Sequence, residues 1–307
     1  MFSLWKKKRS ADKGSAGSRK TPAQSNARGT GELRPPGDFK CEIVACLLSD
    51  VGCAREINED SGKYIQPGDS ELLRAKGSLV LVCDGMGGHS AGEVASGMAV
   101  EVITRVYYDD PDDVHEALAK AFEKANRDIY EASTRDESRK GMGTTGTALV
   151  LKNGRAFSAH VGDSRIYLIR NSQIYVMTQD HSEVMEMVKR GLITLEEARH
   201  HPDKNVILRA LGSHPEVDVS TWDAPFPIRE EDLFLLCSDG LYDLVEDDEI
   251  RRLAISADPR PACESLIALA KERGGHDNIT VAIVRVRGES QAVSKPLPMT
   301  REMEAAL

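Results

Sequence analysis

The sequence has no apolar run long enough to cross a bilayer, and no hydrophobic leader follows its basic start. Its six cysteines (Cys41, Cys46, Cys53, Cys83, Cys237 and Cys263) form no CxxC pair and mostly lie in apolar stretches. Reduced core thiols are therefore expected, and with them a cytoplasmic setting. No internal repeat is present. Positive charge is scarce outside the start of the chain. Residues 1–40 hold ten Lys and Arg against Asp12, Glu32 and Asp38, a balance of +7, so with a net charge of −9 overall the remainder carries −16. So acidic a body argues against nucleic acid as the main partner and suits a protein that gathers carboxylates around cations.

What is present is the make-up of a soluble globular protein: 307 residues, 40% hydrophobic and 29% charged, enough to bury a substantial core. Residues 1–40, rich in Ser, Gly, Lys, Arg and Pro, read as a disordered basic tail. Its opening, MFSLWKKKR, offers Phe2, Leu4, Trp5 and a basic cluster to an anionic membrane. One short patch anchors weakly, so a solvated tail is the expectation. Residues 288–307 read as a flexible C-terminal tail.

Between the tails the chain is organised around SLVLVCDGMGGHSAG, residues 78–92. Residues 79–83 form a buried-strand pattern that stops at Asp84, followed by Gly85, Gly87, Gly88 and Gly92. A carboxylate at the end of a buried strand needs a partner, and a divalent cation is an economical one. The glycines permit a tight turn and let a carbonyl such as that of Gly85 approach an ion.

The remaining elements follow in order. CEIVACLLS at 41–49 reads as a first strand, 50–60 as a polar loop, and 61–77 as a hairpin or loop turning at Pro67-Gly68-Asp69. A helix should run from the central stretch to Tyr108, and a second over 111–133 with Pro111 in its first turn. Residues 143–178 read as antiparallel strands, with Asn153-Gly154 a strong hairpin signal. Residues 180–212 break that pattern with two short helical pieces and a polar segment, as a flap would. Strands are expected at 217–222, 232–238 and 279–286, and a helix near 261–273.

The acids share one placement. LVLVCDG, AHVGDS and LFLLCSDG put Asp84, Asp163 and Asp239 at strand ends, Asp277 opens a strand in GGHDNITVAIV, and INED supplies Glu59 and Asp60. A lone acid at a strand end usually caps a turn, but five repeats of the arrangement are hard to dismiss. An oxygen-rich, histidine-poor set favours Mg²⁺ or Mn²⁺ over Zn²⁺. Two such ions about 3.5–4 Å apart can clamp and deprotonate a water for in-line attack at phosphorus. Arg55, in the same loop as Glu59-Asp60, is the candidate for binding phosphate oxygens in a forked geometry.

These pieces, together with GMGTTGTALVL and QDHS, resemble the metal-dependent protein serine/threonine phosphatases of type 2C, most closely the bacterial branch, over residues 41–287. The resemblance implies an α+β fold, a four-layer α-β-β-α sandwich with two central antiparallel sheets and a flap insertion near 180–212. It also implies hydrolysis of phosphoserine and phosphothreonine in proteins by in-line attack of a metal-bridging hydroxide, opposing serine/threonine kinases. Carried over by motif position, Asp84 would bridge two Mn²⁺ or Mg²⁺ ions beside the Gly85 carbonyl. Asp60 would serve one ion, with Glu59 acting through water, and Asp239 and Asp277 the other. Asp163, aided by Asp239, would hold a weaker third ion, with Asp243 behind it. Arg55 would bind phosphate, and the enzyme would act on phosphorylated proteins as a monomer.

No protein nucleophile is then required, so Ser238, Cys83 and Cys237 are expected to pack rather than react. The sequence departs from many eukaryotic members at Met86, where they place a histidine proposed as general acid. A water on the third ion or His89 remains open as proton source. His160, His181 and His276 are expected to orient loops, and Arg190, Arg199, His200, His201 and Lys204 of the flap to form a solvated face. Two rivals stand beside this reading: a catalytically silent phosphoprotein-binding module, and a two-metal hydrolase of phosphodiesters or nucleotides.

Overall fold

The computed structural model describes residues 41–87 and 91–288. His89, the expected N-terminal tail and residues 289–307 of the expected C-terminal one lie outside the described residues, while Gly288 ends a strand.

Strand β3 (Ser78–Met86) sets the plan. Leu79, Leu81 and Cys83 face helices on one side, while Val80 and Val82 face the second sheet on the other. A strand covered on both faces needs an unbroken apolar run, which residues 79–83 supply. The other strands are β1 (Cys41–Asp50), β2 (Asp60–Ile65), β4 (Gly143–Thr144), β5 (Gly146–Lys152), β6 (Arg155–Val161), β7 (Arg165–Arg170), β8 (Gln173–Val176), β9 (Ser220–Thr221), β10 (Phe226–Pro227), β11 (Leu233–Cys237) and β12 (Ile279–Gly288). They form a five-stranded sheet, β1-β12-β11-β7-β8, and a second sheet, β10-β6-β5-β3-β2, to which β4 and β9 add short pairings. All strand pairs are antiparallel.

Between the sheets lie Val80, Val82, Leu149, Ile166, Phe234, Leu236 and Val284. Helices α2 (Ala91–Asp109) and α3 (Val114–Arg135) cover the outer face of the β3 sheet. Helices α7 (Asp247–Ser256) and α8 (Pro259–Glu272) cover the other. The expected four-layer sandwich is therefore what the chain builds.

Both hairpin turns at 153–154 and 171–172 place their central residues at positive φ (Asn153 48°, Gly154 72°, Asn171 51°, Ser172 57°), as tight two-residue hairpins require. Several boundaries differ from expectation. Residues 61–77 hold β2 and a helix, α1 (Ser70–Lys76), because Asp69 caps it by accepting from the Leu72 amide. The helix expected from Pro111 begins at Val114, since Asp113 accepts from the His115 and Glu116 amides and fixes the start there. The strand expected at 217–222 shrinks to β9. Helices α6 (Asp239–Tyr242) and α7 add two elements between β11 and α8 to those expected from the sequence.

Residues 180–212 carry the two foreseen helical pieces, α4 (Glu183–Lys189) and α5 (Leu195–Arg199). The bridge Ser182–Ile207 closes the base of this excursion on itself, and Thr144–Leu211 stitches it to β4 of the sandwich.

Candidate active site

Antiparallel pairing brings the ends of β3, β6 and β11 and the starts of β2 and β12 to one edge of the sandwich. Asp60 and Asp84 are register partners across β2 and β3. The Asp84 backbone is held from two sides: its amide donates to Thr145 Oγ1 (2.8 Å), and its carbonyl accepts from Thr144 Oγ1 and the Thr145 amide (both 2.8 Å). Asp60 is buried, and Ser238 Oγ donates to its Oδ2 (2.7 Å), a bond that crosses between the sheets. Ser238 Oγ in turn accepts from the Thr280 amide (3.0 Å). Asp239 follows as the first residue of α6, and Asp163 follows β6 with its carbonyl accepting from Tyr242 Oη (3.2 Å). Asp277 stands before β12, its Oδ1 accepting from the Asn278 amide (2.8 Å).

Electrostatics tie these acids into one group. Burial pushes the Asp84 carboxyl well above the usual carboxylate range, and the charges of Asp60, Asp239, Asp163 and Asp277 push it further. Burial and then Asp163, Asp243, Asp277 and Asp60 act the same way on Asp239. Asp60 rises to about 6, burial and the neighbouring Asp277 and Glu59 outweighing the hydrogen bonds from Thr280 and Ser238. Asp163 rises to about 7, through burial and Asp180, with Arg165 opposing.

The loop from Val51 to Glu59 closes over this edge. Asn278 pins it by accepting from the Glu59 amide (2.8 Å) and donating to the carbonyls of Val51 and Ile57 (3.0 Å each). Arg55 donates to Asp277 Oδ2 (2.9 Å) and lies 3.8 Å from Glu59. Its partial burial opposes charge, but Asp277, Glu59 and Asp84 outweigh that and raise its pKa. Glu59 Oε1 accepts from the Gly92 amide at the start of α2 (3.2 Å). The chain passes so close here that a Cβ on Gly85 would sit 2.2 Å from the Gly92 carbonyl oxygen, and one on Gly92 2.5 Å from Glu59 Oε1. Glycine at both positions is a condition of bringing β3, α2 and Glu59 together.

The structure thus brings together Glu59, Asp60, Asp84, Asp163, Asp239, Asp277 and Arg55, with the Gly85 backbone among them. Cys83 and Cys237 are fully buried, and burial pushes both thiols up, so neither is a ready nucleophile. Ser238 does more than pack: it orients Asp60. Met86 is half-buried and pairs with Gly143. His160 and His181 lie ring to ring at 4.9 Å, and burial lowers them to about 4 and about 3. His181 accepts from the Gly162 amide (3.1 Å), so it orients the turn before Asp163. Sequence reasoning missed Asn278, Thr144, Thr145 and Thr280. The available signal was Asn278 directly after Asp277 in HDNIT; Thr144 and Thr145 in GTTG stand beside no acid in the sequence.

Among the described residues, no three acidic, histidine or cysteine side chains close into a finished coordination sphere. Two features nevertheless fit divalent cations. Asp60 Oδ1 and Asp163 Oδ1 are buried without a hydrogen-bond partner, and an unpaired buried carboxylate oxygen is costly. The donor set is also entirely oxygen, with its mutual repulsion relieved by positive charge, the chemistry of Mg²⁺ and Mn²⁺.

Residues 48–186 match the family model described as Protein phosphatase 2C. The chain is 39% identical over 250 residues to "Protein phosphatase PhpP" of Streptococcus pneumoniae, covering 79% of this chain and 97% of that one. The crystal structure of the Mycobacterium tuberculosis serine/threonine phosphatase PstP/Ppp superposes with a TM-score of 0.71 at 35% identity, covering 80% of this chain and 99% of that one. The catalytic domain of PstP in complex with two manganese ions superposes with a TM-score of 0.69 at 34% identity, covering 81% of this chain and all of that one.

Proposed function

The chain belongs to the protein phosphatase 2C family, and we propose that the carboxylates at the sandwich edge are the metal-holding and catalytic groups of its phosphatase reaction. The protein is a metal-dependent serine/threonine phosphatase acting on phosphorylated proteins. The observation that carries the site assignment is the convergence of separate strand ends on Asp84, whose carboxyl feels four other aspartates at once.

In this reading Asp84, Asp60, Asp239 and Asp277, with the Gly85 carbonyl and with Glu59 acting through water, would hold two Mn²⁺ or Mg²⁺ ions. Asp163 and Asp239, backed by Asp243, would hold a weaker third. When bound, the ions supply an activated water and neutralise charge on the phosphoryl group. The chain's own residues do the rest. Ser238 keeps one oxygen of Asp60 engaged so that the other stays turned to the site. Arg55 is steadied by Asp277 and presents its remaining donors to the non-reacting phosphate oxygens. Asn278 fixes the loop that carries Arg55. Cys83 and Cys237 take no part, and Met86 cannot donate a proton, so the leaving hydroxyl takes its proton from water or from His89. A cytoplasmic monomer opposing serine/threonine kinases completes the reading. No helix among the described residues is long and apolar enough to cross a membrane.

Phosphate release from a phosphothreonine peptide, with Mn²⁺ and with EDTA, tests the assignment. Release that needs metal and survives in wild type but not in Asp84→Asn is expected. Full activity in the variant would remove Asp84 from the site.

A further inference from the structure

Two cations of the flap reach the segment that follows β11. The Lys204 ammonium pairs with the Asp243 carboxylate, both side chains being largely buried (30% and 12% exposed). Arg199 donates to the Tyr242 carbonyl (3.2 Å) and lies 3.0 Å from Glu246. These two residues therefore do not belong to a solvated face. Asp243 also acts on Asp239 and Asp163, the acids assigned above to the weaker third ion, and Asp163 Oδ1 is buried there without a partner. The neighbouring Arg165 is committed elsewhere: it makes three hydrogen bonds to Asp180 (3.1, 3.1 and 2.6 Å) and stacks 3.6 Å from the Tyr242 ring centroid. Lys204 is different in kind. It is a compact charge on a flexible stem, carried by a segment tied to the sandwich at its base.

We infer that Lys204 is a positioning residue that acts as a tethered cation at the Asp163, Asp239 and Asp243 trio, in competition with the third divalent ion. While its ammonium holds Asp243, the flap is docked and the trio is partly neutralised. A divalent ion entering beside Asp243 meets that positive charge, and its binding favours release of Lys204. Coupling of this kind is reciprocal: whatever loosens the Lys204 contact tightens the third ion, and filling the third site frees the flap. The inference rests on the third-ion assignment proposed above, and its test separates the two.

The full chain is titrated with Mn²⁺ by calorimetry, as wild type, Lys204→Ala and Lys204→Arg, and hydrogen exchange of residues 183–206 is followed at each Mn²⁺ level. In Lys204→Ala the weakest class of sites should tighten by about fivefold, with the tight pair unchanged and flap exchange fast even without metal. Wild-type flap exchange should quicken only as the weakest class fills, and Lys204→Arg should behave like wild type. Identical weak-class affinity in wild type and Lys204→Ala, or flap exchange indifferent to Mn²⁺, overturns the competition while leaving the third ion in place. Absence of any class beyond the tight pair in every variant removes the third-ion assignment, and the inference falls with it.

Discussion

Asp60 and Arg55 stand in the same stretch of chain, yet they are held by different means. Asp60 is 7% exposed, in register with Asp84 and bonded to Ser238 of the opposite sheet. The Arg55 side chain is 48% exposed and held by two ion pairs on a pinned loop. The flap extends the contrast: Leu192, Leu195, Val206 and Leu208 are 69%, 49%, 42% and 48% exposed, whereas the strands beneath are sealed between layers. Asp60 and Asp84, proposed above to hold ions, sit on paired backbone, where misplacement costs ladder hydrogen bonds. Groups that must meet varied protein substrates sit on loops, where small shifts cost little.

The largest effect should come from breaking the rigid half. Asp84→Asn is expected to lower phosphate release by about a thousandfold or more, while raising the melting temperature in EDTA by removing a buried repelling charge. A variant that is inactive and also less stable without metal would mean the acids are not mutually strained. On the adaptable half, Arg55→Ala should lower kcat/KM by about a hundredfold, mainly through KM. Equal losses in kcat and kcat/KM would instead assign Arg55 to the transition state alone. Ser238→Ala probes the link between the sheets and should weaken Mn²⁺ binding by about tenfold, measurable by calorimetry, and unchanged affinity would reduce Ser238 to a packing role.

A smaller effect should appear in the pH dependence of the EDTA-treated protein. Asp60 and Asp163 are raised to about 6 and about 7, above the carboxylate range of an unfolded chain. The folded state then binds the extra protons, so stability is greatest below pH 4 or so as far as these groups decide it, and is lost as pH rises through about 6 to 7. Melting temperature in EDTA should fall across that window, and Mn²⁺ should restore more at pH 8 than at pH 5. A flat difference between metal-bound and metal-free protein would contradict it. Cys83→Ala should do least to the chemistry. It costs about 1–2 kcal/mol of stability through a small cavity and leaves kcat unchanged, and a lost turnover would reinstate a thiol in the reaction.

Much of the site was legible because its acids stand at breaks in strong apolar runs. LVLVCDG, AHVGDS and LFLLCSDG each mark where a buried strand ends, and the motif order carried the fold. Helix α1 was hidden because Pro67-Gly68-Asp69 reads as a turn, and the capping action of Asp69 depends on how the next residues coil. Asn278 was hidden for another reason. Its three bonds reach Val51, Ile57 and Glu59, more than two hundred residues away in sequence, and no local pattern reports such reach. The pairing of Lys204 with Asp243 is invisible in the same way, since a polar flap residue looks alike whether solvated or docked.

By itself the sequence determined which residues could bear the chemistry and that buried strands would present them at their ends, because hydrophobic periodicity and turn residues act over short stretches of chain. Tertiary structure alone decided that those ends meet at one edge, that Ser238 reaches Asp60 across two sheets, and that Lys204 rather than solvent faces Asp243. Those outcomes depend on antiparallel register and sheet packing, which bring distant residues within hydrogen-bond range and raise the energy of their charges only once they are together.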